Sequence, residues 1–136
     1  MKFSIDKQDK YTLLSLQEES LTAALAPDLK SEFVFLSNEG TSNLILDLSG
    51  VKFIDSSGLS AILVADRLWK DLGSFVITGI VHPSVKKLIE ITRLDTTLSI
   101  VPSLSEAIDF VFMEELQREI MAEGGDDEGE EEEDQA

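Results

Sequence analysis

The sequence predicts a single α/β domain in which helices cover a mixed or parallel sheet. Short apolar runs typical of strands alternate with stretches in which apolar residues recur every three or four positions, the spacing of one helix face. The resulting order is β-β-α-β-α-β-α-β-α, with four to five strands and about four helices. The length of 136 residues suits one domain with one core.

The first half of the chain supplies two short strands, a helix and a buried strand. Apolar residues at positions 3–5 and 11–16 predict the two strands, joined by a polar turn. A helical stripe follows over residues 21–36 and ends at the Asn-Glu-Gly stop that finishes at Gly40. The near-continuous apolar run at positions 44–48 then predicts a strand that is buried on both faces.

The second half continues the alternation. A helix is predicted over residues 58–72 and a strand over residues 74–80. Pro83 suits the first position of a third helix, and a short strand follows at residues 98–101. Ser103 and Glu106 have the spacing of a capping box, so they predict the start of a last helix.

Charge divides the chain into a domain and a tail. The formal net charge is −16, and residues 123–136 contain nine acidic residues and no basic residue. Residues 1–122, which carry a net charge of −7, form the predicted domain with its carboxyl-terminal helix. Residues 123–136 are predicted to be a disordered acidic tail, which solubilises the protein or competes for basic surfaces on a partner.

Composition removes several classes of function. There is no cysteine, and a single histidine, His82, cannot make a multi-histidine metal site, so we expect no metal and no cofactor. The acidic balance argues against nucleic acid as a partner. No apolar run reaches the roughly 20 residues that span a bilayer, and the amino terminus lacks a signal-peptide core. We therefore expect a cytoplasmic protein that does not insert into a membrane.

An enzymatic function finds little support in the sequence. No phosphate-binding loop, dinucleotide-binding glycine pattern or nucleophile elbow is present. Asp47 and Asp55 flank the central strand and could form a carboxylate pair, but a strand end and a helix start explain them equally well. We expect the protein not to be an enzyme.

The segment Asp55-Ser56-Ser57-Gly58 lies at the predicted junction of a buried strand and a helix. Aspartate and serine are favoured there because their side chains bind the free N–H groups of the first turn, and this role alone could explain them. The alternative is regulatory. A phosphate on serine would be stabilised by the same N–H groups and the positive helix end, while its charge would repel an acidic or apolar partner.

The helix that follows suggests a docking surface. Most of its apolar residues fall on one broad arc, but Leu59 and Leu63 fall one turn apart within the polar arc. Such a pair beside Ser57 predicts a hydrophobic contact with a partner. The alternative is that one of these leucines packs beneath a neighbouring loop.

The motif DLSGVKFIDSSGL at positions 47–59 resembles the signature of STAS domains, specifically that of the bacterial anti-sigma factor antagonists. The segment IVHPSVKKLIEITRL at positions 80–94 resembles their third-helix region, and the element order is similar over about residues 1–112. Many members have a Gly-x-Leu-Asp turn before the first helix. Here Thr22 stands where the acid is expected, and Glu18 or Glu19 could replace it.

The resemblance implies a protein that binds a histidine-kinase-like anti-sigma factor and so frees a sigma factor. It also implies that the anti-sigma factor is a serine kinase, which phosphorylates Ser57 and so abolishes binding, and that a phosphatase restores binding. Asp55 and Ser56 would shape the loop, Gly58 would allow close approach of the partner, and the Leu59/Leu63 pair would dock. The alternatives are a constitutive adaptor subunit of a lipid-transport or stressosome-like complex, and a small-molecule binder.

Overall fold

The structure, a computed structural model, describes the backbone of residues 1–135 and the side chains of residues 1–123. Its strands are β1 (Phe3–Lys7), β2 (Thr12–Leu16), β3 (Ser20–Leu21), β4 (Asn43–Asp47), β5 (Phe53–Ile54), β6 (Ser74–Thr78) and β7 (Ser99–Val101). Its helices are α1 (Ala26–Asn38), α2 (Ser56–Trp69), α3 (Pro83–Ile91) and α4 (Leu104–Gln135).

Five strands form the main sheet, in the order β1-β2-β4-β6-β7. β1 is antiparallel to β2, and the other neighbours are parallel, so the predicted mixed sheet is confirmed. Strands β4 and β6 lie at its centre, and four of the five residues of β4 and all five of β6 are buried. Their continuous apolar sequences reflect burial on both faces.

One face of the sheet carries the larger core, to which α1, α2 and α3 contribute. Three aromatic side chains lie at its centre, with Phe33 edge-on to both Trp69 and Phe75 at centroid distances of 6.3 and 6.1 Å. Trp69 also donates a hydrogen bond of 3.1 Å from Nε1 to the carbonyl of Thr41. The indole therefore fills the core while its polar atom is satisfied.

The opposite face of the sheet is covered by α4. Ala107 and Val111 of this helix pack on Ile45 of β4 and Val76 of β6. The predicted helix start is confirmed, because the Glu106 N–H donates to Ser103 Oγ at 3.2 Å, which is the N-cap half of a capping box. The glutamate side chain accepts from the serine hydroxyl at 3.0 Å and not, as in a complete box, from the serine N–H. This cap fixes where the helix begins.

A buried polar network holds α4 against the starts of the central strands. Asn43, fully buried, donates from Nδ2 to the carbonyl of Lys10 and to Glu115, at 2.8 and 3.1 Å. Its Oδ1 accepts from the Ser74 N–H at 2.8 Å and from Arg118 at 3.0 Å. The Asn43 side chain therefore connects β4, β6 and the loop before β2 to helix α4, and all of its donors and acceptors are used.

A two-stranded ribbon of β3 and β5 is the main feature that the sequence did not predict. Ser20 and Leu21 pair with Phe53 and Ile54 in parallel. Because Leu21 belongs to this ribbon, α1 begins at Ala26 rather than at residue 21. The sequence predicts disorder for residues 123–136. The side chains after Glu123 lie outside the described residues, so this stays a prediction.

Replacing Asn43 with leucine should lower the free energy of unfolding by about 2–4 kcal/mol, because the partners of the amide would remain buried and unpaired. Urea denaturation measures the change. Asn38→Ala, at the exposed end of α1, is the matched control and should stay within about 0.5 kcal/mol of the wild type. Equal stabilities of the two variants would contradict the role given to the network.

Candidate functional site

The candidate site is the junction between the ribbon and α2. The chain leaves β4 at Asp47, turns, enters the short strand β5 and starts α2 at Ser56. The turn is held by Asp47, whose Oδ1 accepts from the Ser49 N–H at 2.9 Å. The predicted segment of residues 55–58 therefore lies at the carboxyl ends of the parallel strands, at the surface where helix α2 begins.

Asp55 is the N-cap of α2 and connects two segments of the chain. Its Oδ1 accepts from the Gly58 N–H at 2.9 Å, the interaction expected of an N-cap. Its Oδ2 accepts from the Ala23 N–H at 3.2 Å, in the segment that leads into α1. The carboxylate thus shapes the loop, as the resemblance implied, by using both of its oxygen atoms on the protein's own backbone.

Gly58 is buried beneath the ribbon. A Cβ at this position would lie inside contact distance of the Leu21 carbonyl oxygen and 2.9 Å from both Ile54 Cγ2 and Leu21 Cγ. The close approach that requires glycine is therefore made by strand β3 of the same chain. The expectation that the missing side chain of Gly58 gives room to a partner is corrected accordingly.

Ser56 and Ser57 occupy the first two positions of α2, and their N–H groups have no acceptor within the helix. Ser56 is exposed and Ser57 half-buried. The Gly58 N–H is already bound to Asp55. An anion on Ser57 would therefore meet the positive end of the helix and the first two N–H groups, in a position that solvent or a partner can reach.

The surface beside the two serines combines an apolar side chain and an ion pair. Phe53 is 50% exposed although it belongs to β5. Lys52 Nζ lies 3.3 Å from a carboxylate oxygen of Glu19, and the Lys52 N–H donates to the Glu19 carbonyl at 2.7 Å. Ser84 of α3 donates its hydroxyl to the Lys52 carbonyl. Phe53 is a candidate contact residue that sequence reasoning missed, because a two-residue strand has no readable alternation.

The predicted exposed leucine pair is not present. Leu59 is only 7% exposed and belongs to the main core, so its assignment to the solvent side is wrong. Leu63 is half-buried and packs against the same core. The helical wheel allowed for packing on the sheet alone, whereas α2 also packs along α1, and its first turn lies against β3 at Gly58. Any contribution of Leu59 to partner binding must therefore be indirect, through the shape of the loop.

Asp47 and Asp55 have the structural roles that a strand end and a helix start predict. The side chains of Asp47 and Asp55 each bind backbone N–H groups of their own loops. His82 precedes α3 and makes no side-chain cap. In the part of the chain described with side chains, no cluster of three potential metal ligands occurs, and no described helix is long and apolar enough to cross a membrane.

Comparison with known proteins agrees with this geometry. The family model described as the STAS domain matches residues 2–107. The chain belongs to the STAS domain family. BtrV of Bordetella bronchiseptica, named provisionally as an anti-sigma factor antagonist, is 32% identical over 103 residues, which cover 75% of this chain and 84% of BtrV.

Solved STAS structures share the fold. An anti-sigma factor antagonist from Mycobacterium paratuberculosis superposes with a TM-score of 0.73 at 23% identity, covering 81% of this chain and 92% of that one. The phosphorylated form of SpoIIAA, a cell fate determinant of Bacillus, gives a TM-score of 0.61 at 18% identity, covering 81% and 99% of the two chains. The resemblance identified from positions 47–59 is confirmed.

Gly58→Ala should destabilise the protein by about 1–3 kcal/mol, since the added methyl group forces β3 and α2 apart. Gly50→Ala is the matched control in the preceding turn. A Cβ added at Gly50 would lie 3.6 Å from the Leu16 carbonyl oxygen, an ordinary van der Waals contact, so we expect little change. Thermal unfolding of both variants tests the close approach, and an unaffected Gly58→Ala protein would contradict it.

Proposed function

We propose that this STAS protein is an anti-sigma factor antagonist that binds a kinase-like anti-sigma factor and is switched off by phosphorylation of Ser57. The observation that carries the proposal is the position of Ser57 in the first turn of α2, reachable from solvent and beside free N–H groups. The names of BtrV and of the mycobacterial structure support the class of partner, and the phosphorylated SpoIIAA structure supports the modification.

The local structure explains how a phosphate could act without unfolding the domain. A phosphoserine brings a charge of about −1.5 to −2. At Ser57 this charge would meet the positive end of α2, which favours anions by about 0.3–1 kcal/mol at exposed sites. The Gly58 N–H remains with Asp55, so the cap that fixes the loop is kept. The change is thus confined to the surface presented to the partner.

The proposed contact surface consists of Ser56, Ser57 and the exposed ring of Phe53, with the Glu19–Lys52 pair at its edge. Asp55, Gly58 and Leu59 lie beneath it and determine its shape. A phosphate in this surface would be desolvated on binding and would oppose any carboxylate of the partner, which weakens the complex. The protein itself performs no reaction in this proposal, because the kinase and a phosphatase add and remove the phosphate in the cytoplasm.

The first test compares wild type with Ser57→Asp in capture of partners from the native cell lysate, read by quantitative mass spectrometry. We expect the acidic variant to lose a kinase-like partner by at least tenfold, about 1.4 kcal/mol. Ser105→Asp, which adds the same charge at an exposed position of α4, should keep that partner. An unchanged partner list would indicate a constitutive adaptor instead.

The captured kinase-like partner then allows a direct test of the modification. With ATP it should phosphorylate the wild type and Ser56→Ala, but not Ser57→Ala.

The thermal midpoint of Ser57→Asp should equal or slightly exceed that of the wild type, because an acid in the first helical turn is favourable. Phosphorylation of Ser57→Ala would place the acceptor elsewhere, and a large loss of stability in Ser57→Asp would attribute lost binding to unfolding.

A further inference from the structure

The outward face of α4 carries an apolar stripe. It consists of Phe112, Met113, Leu116 and Ile120, whose exposed fractions range from 47% to 63%. No part of the chain described with side chains covers them. Four large apolar side chains on one face of a short stretch of helix differ from the scattered exposed residues usual on a protein surface.

The geometry of the helix makes this stripe continuous. Ala107 and Val111 face the sheet, and at 100° per residue Phe112, Leu116 and Ile120 lie on the opposite side. The step from Met113 to Leu116 is three residues and the next step, to Ile120, is four, as in helices that pair side by side. From Phe112 to Ile120 the stripe is about 12 Å long, at a rise of about 1.5 Å per residue.

The buried network gives the stripe a fixed orientation. Glu115 and Arg118, which alternate with the stripe along α4, both bind Asn43 on the inner side of the helix. The same turns of helix therefore present polar anchors to the sheet and apolar side chains to solvent. The stripe is held outward by contacts that do not involve it.

Charge indicates what covers the stripe. Residues 104–123 contain six acidic residues and one basic residue, and residues 124–136 add eight acidic residues and no basic one. A second copy of the chain would bring the same charge of −16 to the interface, and anionic membranes and nucleic acids would be repelled for the same reason. The complementary surface is apolar and cationic.

We propose that the outer face of α4 docks an amphipathic helix of a partner protein, with leucine-like residues against the stripe and lysine or arginine at its edges. The apolar contacts supply affinity, and the acidic flanks with the acidic carboxyl terminus attract and orient the basic helix. Asn43 and Ser74 are the first residues of β4 and β6, and Glu115 and Arg118 bind them. The stripe therefore lies toward the amino ends of these strands, whereas the Ser57 loop follows the carboxyl end of β4. Both surfaces can be occupied together.

The probe is a synthetic peptide of about 14 residues with leucine in the two apolar heptad positions and lysine elsewhere. Its binding to the full chain is measured by fluorescence anisotropy at about 50 and 300 mM salt. We expect binding that weakens with salt, and a loss of at least tenfold in Leu116→Ser/Ile120→Ser. The matched control, Val34→Ser/Phe35→Ser, removes two exposed apolar side chains of α1 and should bind as the wild type does.

Three results would overturn the proposal. The interaction would depend on charge alone if the wild type and Leu116→Ser/Ile120→Ser bound the peptide with equal affinity. The same would follow if a scrambled peptide of the same composition bound as tightly as the designed one. A dimer in sedimentation velocity that the double substitution dissociates would assign the stripe to a second copy. A cooperative loss of stability in the double variant would show that the stripe packs within its own chain. Unchanged stability, a monomer and selective peptide binding together support it.

Discussion

The carboxylate of Asp55 is the interaction on which the candidate site depends. Its two oxygen atoms bind the N–H groups of Gly58 and Ala23, which belong to the segments that follow β5 and β3. The first bond caps α2, and the second holds the chain that leads into α1. Because Gly58 has no side chain, β3 can lie directly on the first turn of the helix. Contacts beneath the surface therefore determine the conformation of the loop, and its exposed residues are accessible to a partner.

This arrangement determines what each residue of the motif can contribute. Asp55, Gly58 and Leu59 are committed to the fold, whereas Ser56 is exposed and Ser57 half-buried at the start of the helix, outside the hydrophobic core. A serine with no role in the core can accept a phosphate at small cost to stability. The same motif thus combines a loop held by its buried residues with a serine that the proposed phosphorylation can reach.

The sequence allowed most of the fold to be predicted and only part of the site. The apolar runs of β4 and β6 and the N-cap serine at position 103 are strong local patterns, and the structure contains all of them. The ribbon of β3 and β5 was missed because two residues per strand carry no periodicity. The error at Leu59 has a different cause, since a helical wheel drawn for packing on the sheet leaves out the neighbouring helix α1, which also packs on α2.

The loop around Ser57 and the outer face of α4 differ in their charge. Beside the serines, Glu19 is paired with Lys52, so this pair adds no net charge and a phosphate on Ser57 would be a large local change. On α4 the acidic residues greatly outnumber the basic ones, so one further charge would alter little there. A surface with few unpaired charges suits a switch, and a strongly acidic surface suits constant attraction of a basic partner. The uneven charge along the chain therefore favours regulation at the loop and steady docking on the helix.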